Sequence, residues 1–76
     1  MTKNEFLSEF QHALSKETAV TPEMNLMDIE EFDSLAELSM IALFDTTFGL
    51  KITADQIRDC DTVADLIALA GDKISN

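Results

Sequence analysis

One short stretch of the sequence places a hydroxyl group beside acidic residues at a point where a helix is expected to begin. It reads Glu30-Glu31-Phe32-Asp33-Ser34-Leu35, and it joins an irregular segment to a long apolar one. A serine in the first turn of a helix can present its hydroxyl to solvent. Free backbone N–H groups and the positive end of the helix dipole favour negative charge at that position, so a phosphodiester attached to Ser34 would be stabilised there.

The same residue types are also typical of a purely structural role. Asp33 is a good N-cap residue, and Ser34 with Glu37 has the spacing of a capping box. Catalysis by Ser34 is a weaker hypothesis, because a nucleophilic serine needs a base nearby. The single histidine, His12, is distant in sequence and is expected on the polar side of the first helix. The sequence therefore leaves two roles open for Ser34, a helix cap or an attachment point.

No metal site is predicted. One histidine and one cysteine make no zinc constellation, and the spacing of a calcium-binding loop is absent, although loose divalent-ion binding by Glu30, Glu31 and Asp33 stays open. Cys60 has no partner for an internal disulfide. Because it is flanked by two aspartates that disfavour its thiolate, it is expected to pack rather than to react.

Four helices are expected to position these residues. Their predicted bounds are Lys3 to Lys16, Asp33 or Ser34 to Phe48, Ala54 to Asp59, and a fourth segment that follows Asp61 or Thr62. Two predicted capping boxes are Thr2 with Glu5 and Thr53 with Gln56. Gly49 is expected to end the second helix in a left-handed turn. The predicted fold class is all-α, a four-helix bundle with a long loop between helices 1 and 2 and a short third helix.

The apolar residues indicate which side chains fill the core. The inward set of the last two helices is Ile57, Val63, Leu66, Ile67, Ala70 and Ile74. The segment from Glu17 to Phe32 is too apolar for a free linker, so it is predicted to pack on the core through Val20, Leu26, Met27, Ile29 and Phe32. Met24, Met27 and Met40 are expected to be core residues. The second helix is apolar on more than one face, and it is either buried on both or presents apolar groups to a partner.

Composition narrows the classes of partner. The 76 residues, 46% of them apolar, suit a single domain spanning 1–76 and exclude disorder. Fifteen acidic residues against five basic ones give a net charge of −10, which disfavours nucleic acid and anionic lipid and favours basic protein partners.

No signal peptide or membrane-spanning stretch is recognised. With a lone thiol, a cytoplasmic location is expected, and the chain is expected to be a monomer.

A set of short segments stands at a characteristic spacing: Asp33-Ser34-Leu35, Phe48-Gly49, Leu50-Lys51-Ile52-Thr53 and Asp61-Thr62-Val63. With these segments, and over nearly its whole length, the chain resembles the acyl carrier protein family. The resemblance implies a bundle of the acyl-carrier type in which Ser34 receives 4′-phosphopantetheine from a phosphopantetheinyl transferase. It also implies that Asp33 is the acid of the motif and that Leu35 is an apolar contact for partner enzymes.

The resemblance predicts a carrier that is not an enzyme. Its acyl group would ride as a thioester on the arm, between loading and transferring enzymes that have basic docking patches. Met40, Phe44 and Ile57 either line a cleft for the acyl chain or are plain core. The second helix keeps only Glu37 and Asp45 as charges, fewer than is usual in the family, which predicts a specialised lipid or secondary-metabolite pathway. An aminoacyl or peptidyl carrier and a cofactor-free acidic interaction module are the alternatives.

Overall fold

Four α-helices make up the bundle in the computed structural model, which describes residues 1–15 and 19–75. They are α1 (Lys3–Leu14), α2 (Ser34–Leu43), α3 (Ala54–Arg58) and α4 (Val63–Leu69), and α2 continues through one wide π turn, Phe44–Phe48. Two short 3-10 turns, Leu26–Asp28 and Gly71–Lys73, complete the helical elements. The described ranges contain isolated bridges but no strand. The all-α fold class, with its long first connection and short third helix, is confirmed.

Side-chain caps start all four helices. Thr2, Thr53 and Thr62 each accept a hydrogen bond from the backbone N–H three residues later and form complete capping boxes. Both boxes that the sequence predicted are thus present, and a third, Thr62 with Asp65, opens α4. α2 is capped by Asp33 alone. These local hydrogen bonds satisfy the backbone donors that every helix leaves free at its start.

The helix ends differ from the predictions in three places. α1 ends at Leu14 because Ser15 takes a left-handed conformation with φ 53°, while Lys16, its predicted last residue, lies outside the described residues. α3 ends at Arg58, one residue before the predicted end. Gly71, with φ 60°, follows the end of α4, so Ile74 is buried from an extended segment and not from the helix.

The end of α2 was predicted correctly but has an unexpected wide turn. Gly49 ends it with φ 69°, a conformation that costs glycine little. Before it, the Thr46 hydroxyl donates to the Ala42 carbonyl at 2.9 Å. A threonine hydroxyl that bonds to a carbonyl one turn earlier competes with the backbone and often bends a helix, and here this bond lies at the start of the wide turn. The Phe44 and Phe48 rings then meet edge to face, with centroids 5.2 Å apart.

Aromatic rings hold the core together. The Phe6 ring lies within 6.5 Å, centroid to centroid, of the rings of Phe10, Phe44 and Phe48, and the Phe10 ring stacks on Phe32 at 5.8 Å. The predicted inward set of the last two helices is buried in full. Aromatic pairs of this geometry add to the apolar burial of the core. The core therefore joins α1, α2 and the loop before α2 directly.

The long loop packs on the core, as predicted, with one error. Val20, Leu26 and Ile29 are buried, and backbone hydrogen bonds tie the loop to the start of α4: the Leu26 N–H donates to the Asp61 carbonyl at 2.9 Å. The start of the predicted segment, at Glu17, lies outside the described residues. Met27 is 89% exposed, so its predicted burial is wrong.

The geometry of a short turn explains the exposure of Met27. It is the middle residue of the 3-10 turn, whose neighbours Leu26 and Ile29 point inward. Of the other two methionines predicted to be core residues, Met40 is fully buried and Met24 is half-buried against the core.

Candidate functional site

Ser34 is the first residue of α2, and its side chain is exposed to solvent. The chain enters it through Asp33, which is extended (φ −109°, ψ −167°) and whose N–H donates to the Glu31 carbonyl at 3.1 Å. No hydrogen bond from the Ser34 hydroxyl to any described residue is present. The Ser34 hydroxyl therefore lies on the surface at the start of α2 and takes no part in the hydrogen bonds among the described residues.

Asp33, not Ser34, is the helix cap. The Ala36 N–H donates to Asp33 Oδ1 at 3.0 Å, and the Glu37 N–H donates to the Asp33 carbonyl at 3.0 Å. The alternative capping box of Ser34 with Glu37 does not form, because Ser34 is already the first helical residue; the Glu37 side chain instead contacts Arg58. The ambiguity left by the sequence is thus resolved: Asp33 begins the helix, and Ser34 has no capping role.

The first turn of α2 suits a negatively charged substituent on Ser34. The N–H groups of Ser34 and Leu35 make no hydrogen bond within the described part of the chain, and the positive end of the helix dipole lies beside them. The exposed carboxylates of Asp33 and Glu31 act in the opposite direction, because they repel negative charge. A phosphodiester linked to the Ser34 oxygen fits the site, since it would be exposed and would meet free N–H donors.

Beyond Ser34, α2 presents an apolar surface to solvent. Leu35 is 72% exposed and Leu38, one turn further on, is 60% exposed. Residues three apart on a helix are neighbours, so the two leucines form one exposed apolar ridge that starts next to Ser34. This confirms that the second helix shows apolar groups to the outside. The two leucines give a partner protein apolar side chains to contact directly beside Ser34.

Both acidic residues of α2 are engaged in ion pairs. Glu37 Oε2 lies 3.5 Å from Arg58 Nε on α3, and Asp45 Oδ1 lies 3.3 Å from Lys51 Nζ. These pairs could not be predicted from the sequence, because their separations of 21 and 6 residues follow no helical spacing. The negative charge that α2 presents is therefore even smaller than its two acids suggest.

Four acidic residues without an ion pair to any described residue lie in the loop that precedes Ser34. Glu23, Asp28, Glu30 and Glu31 line a surface cavity of about 560 Å³ and form no ion pair with another described residue. Within the described ranges no group of three acidic, histidine or cysteine side chains is arranged to hold a metal ion. The loop therefore concentrates negative charge on the N-terminal side of the serine.

Two other residues have reactive side chains, and both are distant from Ser34 in sequence: His12 and Cys60. His12 is exposed on α1, as expected. Cys60 is half-buried after α3, and its thiol donates to the Gln56 carbonyl at 3.4 Å. Burial, followed by the nearby charge of Asp65, raises the pKa of the Cys60 thiol, which disfavours the nucleophilic thiolate.

Two comparisons with known proteins bear on the site, and no solved structure matches the chain. A family described as a phosphopantetheine attachment site matches residues 4–70, a range that includes Ser34 and all four helices from the second residue of α1 onward. The acyl carrier protein of Thermobifida fusca (strain YX) is 38% identical over 48 residues, which cover 63% of this chain and 61% of that protein. The match thus spans about three fifths of the relative's length. None of the described helices is long and apolar enough to cross a membrane.

Proposed function

The chain belongs to the phosphopantetheine attachment site family, and from that premise we propose that Ser34 is the residue to which its 4′-phosphopantetheine is joined. The cofactor is covalent, and the chain is a carrier. The observation that supports Ser34 most strongly is its exposed hydroxyl at the start of α2, which the fold leaves unused. Asp33 and Leu35 complete the proposed site.

Five other hydroxyl groups, on or at the start of the helices, fit the attachment role less well. Those of Thr2, Thr53 and Thr62 are bonded as helix caps, and that of Thr46 is bonded to a carbonyl. Ser39 is exposed on α2 but lies five residues further on, where the backbone N–H groups are bonded within the helix. Ser34 combines an exposed hydroxyl with the free N–H groups of a helix start, which favours a negatively charged link.

Each residue at the site has a separate task in this proposal. Asp33 fixes the first turn and therefore the direction in which the Ser34 side chain leaves the protein. The N–H groups of Ser34 and Leu35 stabilise the negative charge of the link. When attached, the arm supplies a terminal thiol that holds the cargo as a thioester. The chain itself tethers, raising the concentration of cargo at a partner's active site, and the partner enzymes carry out the chemistry.

We further propose that the cargo is an acyl group and that the pathway is a specialised lipid or secondary-metabolite pathway. The name of the T. fusca relative supports an acyl cargo, and an aminoacyl or peptidyl cargo is the second candidate. Specialisation is supported by α2, where both acids are paired and two leucines are exposed, because basic docking patches would find few free partners on it. Residues 1–76 would act as one carrier domain, since the four helices share one buried core.

Incubation with coenzyme A and a broad-specificity phosphopantetheinyl transferase tests the assignment. The wild-type chain should gain the mass of one arm, Ser34→Ala should gain none, and Ser39→Ala, the matched control on the same helix, should gain one. A wild-type chain that stays unmodified with several transferases would contradict the proposed function. It would favour the cofactor-free interaction module instead.

A further inference from the structure

Arg58 is the single arginine of the chain, and it contacts the first turns of α2. Its Nε lies 3.5 Å from Glu37 Oε2, and Nη2 lies 3.5 Å from Oε1 of the same carboxylate. Glu37 follows Ser34 by three residues, so the two side chains are neighbours on one helix face, with about 5–6 Å between their Cβ atoms. The ion pair therefore holds a cation close to the proposed attachment residue.

The contact between Arg58 and Glu37 leaves the guanidinium able to bind another anion. The distances of 3.5 Å exceed the roughly 2.7–2.9 Å of a strong charge-assisted hydrogen bond. The Arg58 side chain is 62% exposed, and its only other ion pair, within the described residues, is with Asp55 at 3.6 Å. Arginine carries five donors in a planar fork that matches phosphate oxygens. Its donors are thus only partly used.

A cation near Ser34 would add to the stabilisation of a phosphodiester there. The phosphodiester adds negative charge beside Asp33 and Glu37, in a chain that already has a net charge of −10. Among the described residues, the other basic residue that pairs with an acid of α2 is Lys51, which binds Asp45. Asp45 lies eleven residues after Ser34, or roughly 16 Å along the helix axis. Arg58 is therefore far better placed than Lys51 to offset the charge of the link.

We propose that Arg58 binds the phosphodiester of the 4′-phosphopantetheine attached to Ser34, exchanging contact with Glu37 for contact with the phosphate oxygens. This inference rests on the proposed attachment at Ser34. It gives α3 a role in the site that the motif around Ser34 does not reveal, because Arg58 lies 24 residues away in sequence. The exchange directs the start of the arm from α2 toward α3.

Nuclear magnetic resonance can test the contact directly, because a single arginine gives a single Nε–Hε signal. Loading the wild-type chain should shift that signal. The ³¹P resonance of loaded Arg58→Gln should differ from that of loaded wild type, and loaded Arg58→Lys should lie between them. Lys51→Gln is the matched control, since it removes the cation at the far end of α2, and its ³¹P resonance should coincide with that of wild type.

Glu37→Gln separates the phosphate contact from a change in the Glu37 pair. The substitution removes the carboxylate that competes with the phosphate for Arg58, so loading should still shift the Arg58 Nε–Hε signal. If loading no longer shifted that signal in Glu37→Gln, the inference would be overturned. Circular dichroism verifies that each variant is folded, and mass spectrometry verifies loading. A loaded chain whose Arg58 signal is unmoved, and whose ³¹P resonance is the same with glutamine at position 58, overturns the inference alone. A chain that accepts no arm overturns the proposed function as well.

Discussion

Replacement of Asp33 by alanine is expected to destabilise the unmodified protein, whereas replacement of Ser34 by alanine is not. Asp33→Ala removes the acceptor of the Ala36 N–H, a hydrogen bond of 3.0 Å. Loss of an N-cap side chain costs about 1 kcal/mol of stability, with a range of about 0.5–2. In a domain of this size, 1 kcal/mol lowers the Tm by roughly 4–8 °C.

Ser34→Ala removes no hydrogen bond that the described structure contains, and alanine is the better helix former. Its effect on the free energy of unfolding should stay within about 0.5 kcal/mol. Asp33→Asn is the matched control, because asparagine caps helices about as well as aspartate does. Urea and thermal unfolding of the unmodified proteins, followed by far-ultraviolet circular dichroism, measure all three differences.

Two results would refute the reasoning behind this prediction. If Ser34→Ala cost as much stability as Asp33→Ala, the Ser34 hydroxyl would be part of the cap and not free for modification. If Asp33→Ala cost nothing, the start of α2 would be held by other contacts, and Asp33 would not fix the direction of the Ser34 side chain. The unfolding slope m should be alike in all variants, so that midpoints can be compared.

Three further predictions concern partners, cargo and pH. The rate at which the transferase loads the chain should fall as the salt concentration rises. Neutralising Glu30 and Glu31 should slow loading more than neutralising Glu37 and Asp45, because the latter two are already paired. Equal effects of the two double substitutions would contradict this prediction. The core between α2 and α3 is closed, because the side chains of Met40, Phe44 and Ile57 are fully buried. An acyl chain that entered there would have to displace these side chains, so the Tm of the loaded protein should not rise with the length of the acyl chain. A steady rise of the Tm with length would show that the acyl chain inserts. Hydrogen bonds from the backbone N–H groups of Asp61 and Thr62 hold the pKa of Asp65 below its usual range. The stabilising effect of the Asp65 carboxylate is therefore present above the unfolded-state pKa and is lost as the pH falls below roughly 4. When the pH is lowered through this range, the Tm of Asp65→Asn should fall less than the Tm of wild type.

Features set by neighbouring residues could be predicted from the sequence. The capping boxes of Thr2 and Thr53 and the left-handed Gly49 depend on spacing and side-chain type alone, and all three are present. The burial of Ile74 was also correct, although Gly71 moves it out of the helix. In contrast, the early end of α1 at Ser15 had no signal, because serine has no strong preference for a left-handed conformation.

Features set by distant contacts could not be predicted. The exposure of Met27 depends on which side of a three-residue turn faces the core, and a turn this short has no periodicity to reveal it. The site shows the same limit. Whether Asp33 or Ser34 caps α2 could not be decided from spacing, because both are cap formers. In the structure Asp33 is extended and accepts the Ala36 N–H, Ser34 is already the first helical residue, and the Glu37 side chain contacts Arg58, 21 residues further on in the sequence.

The most direct test of the central claim locates the arm without any substitution. Wild-type protein loaded from coenzyme A would be digested, and the modified peptide fragmented in a mass spectrometer. We expect one phosphopantetheinyl group per chain, on Ser34. A chain that gains no group, or one that carries it on another residue such as Ser39, would contradict the account.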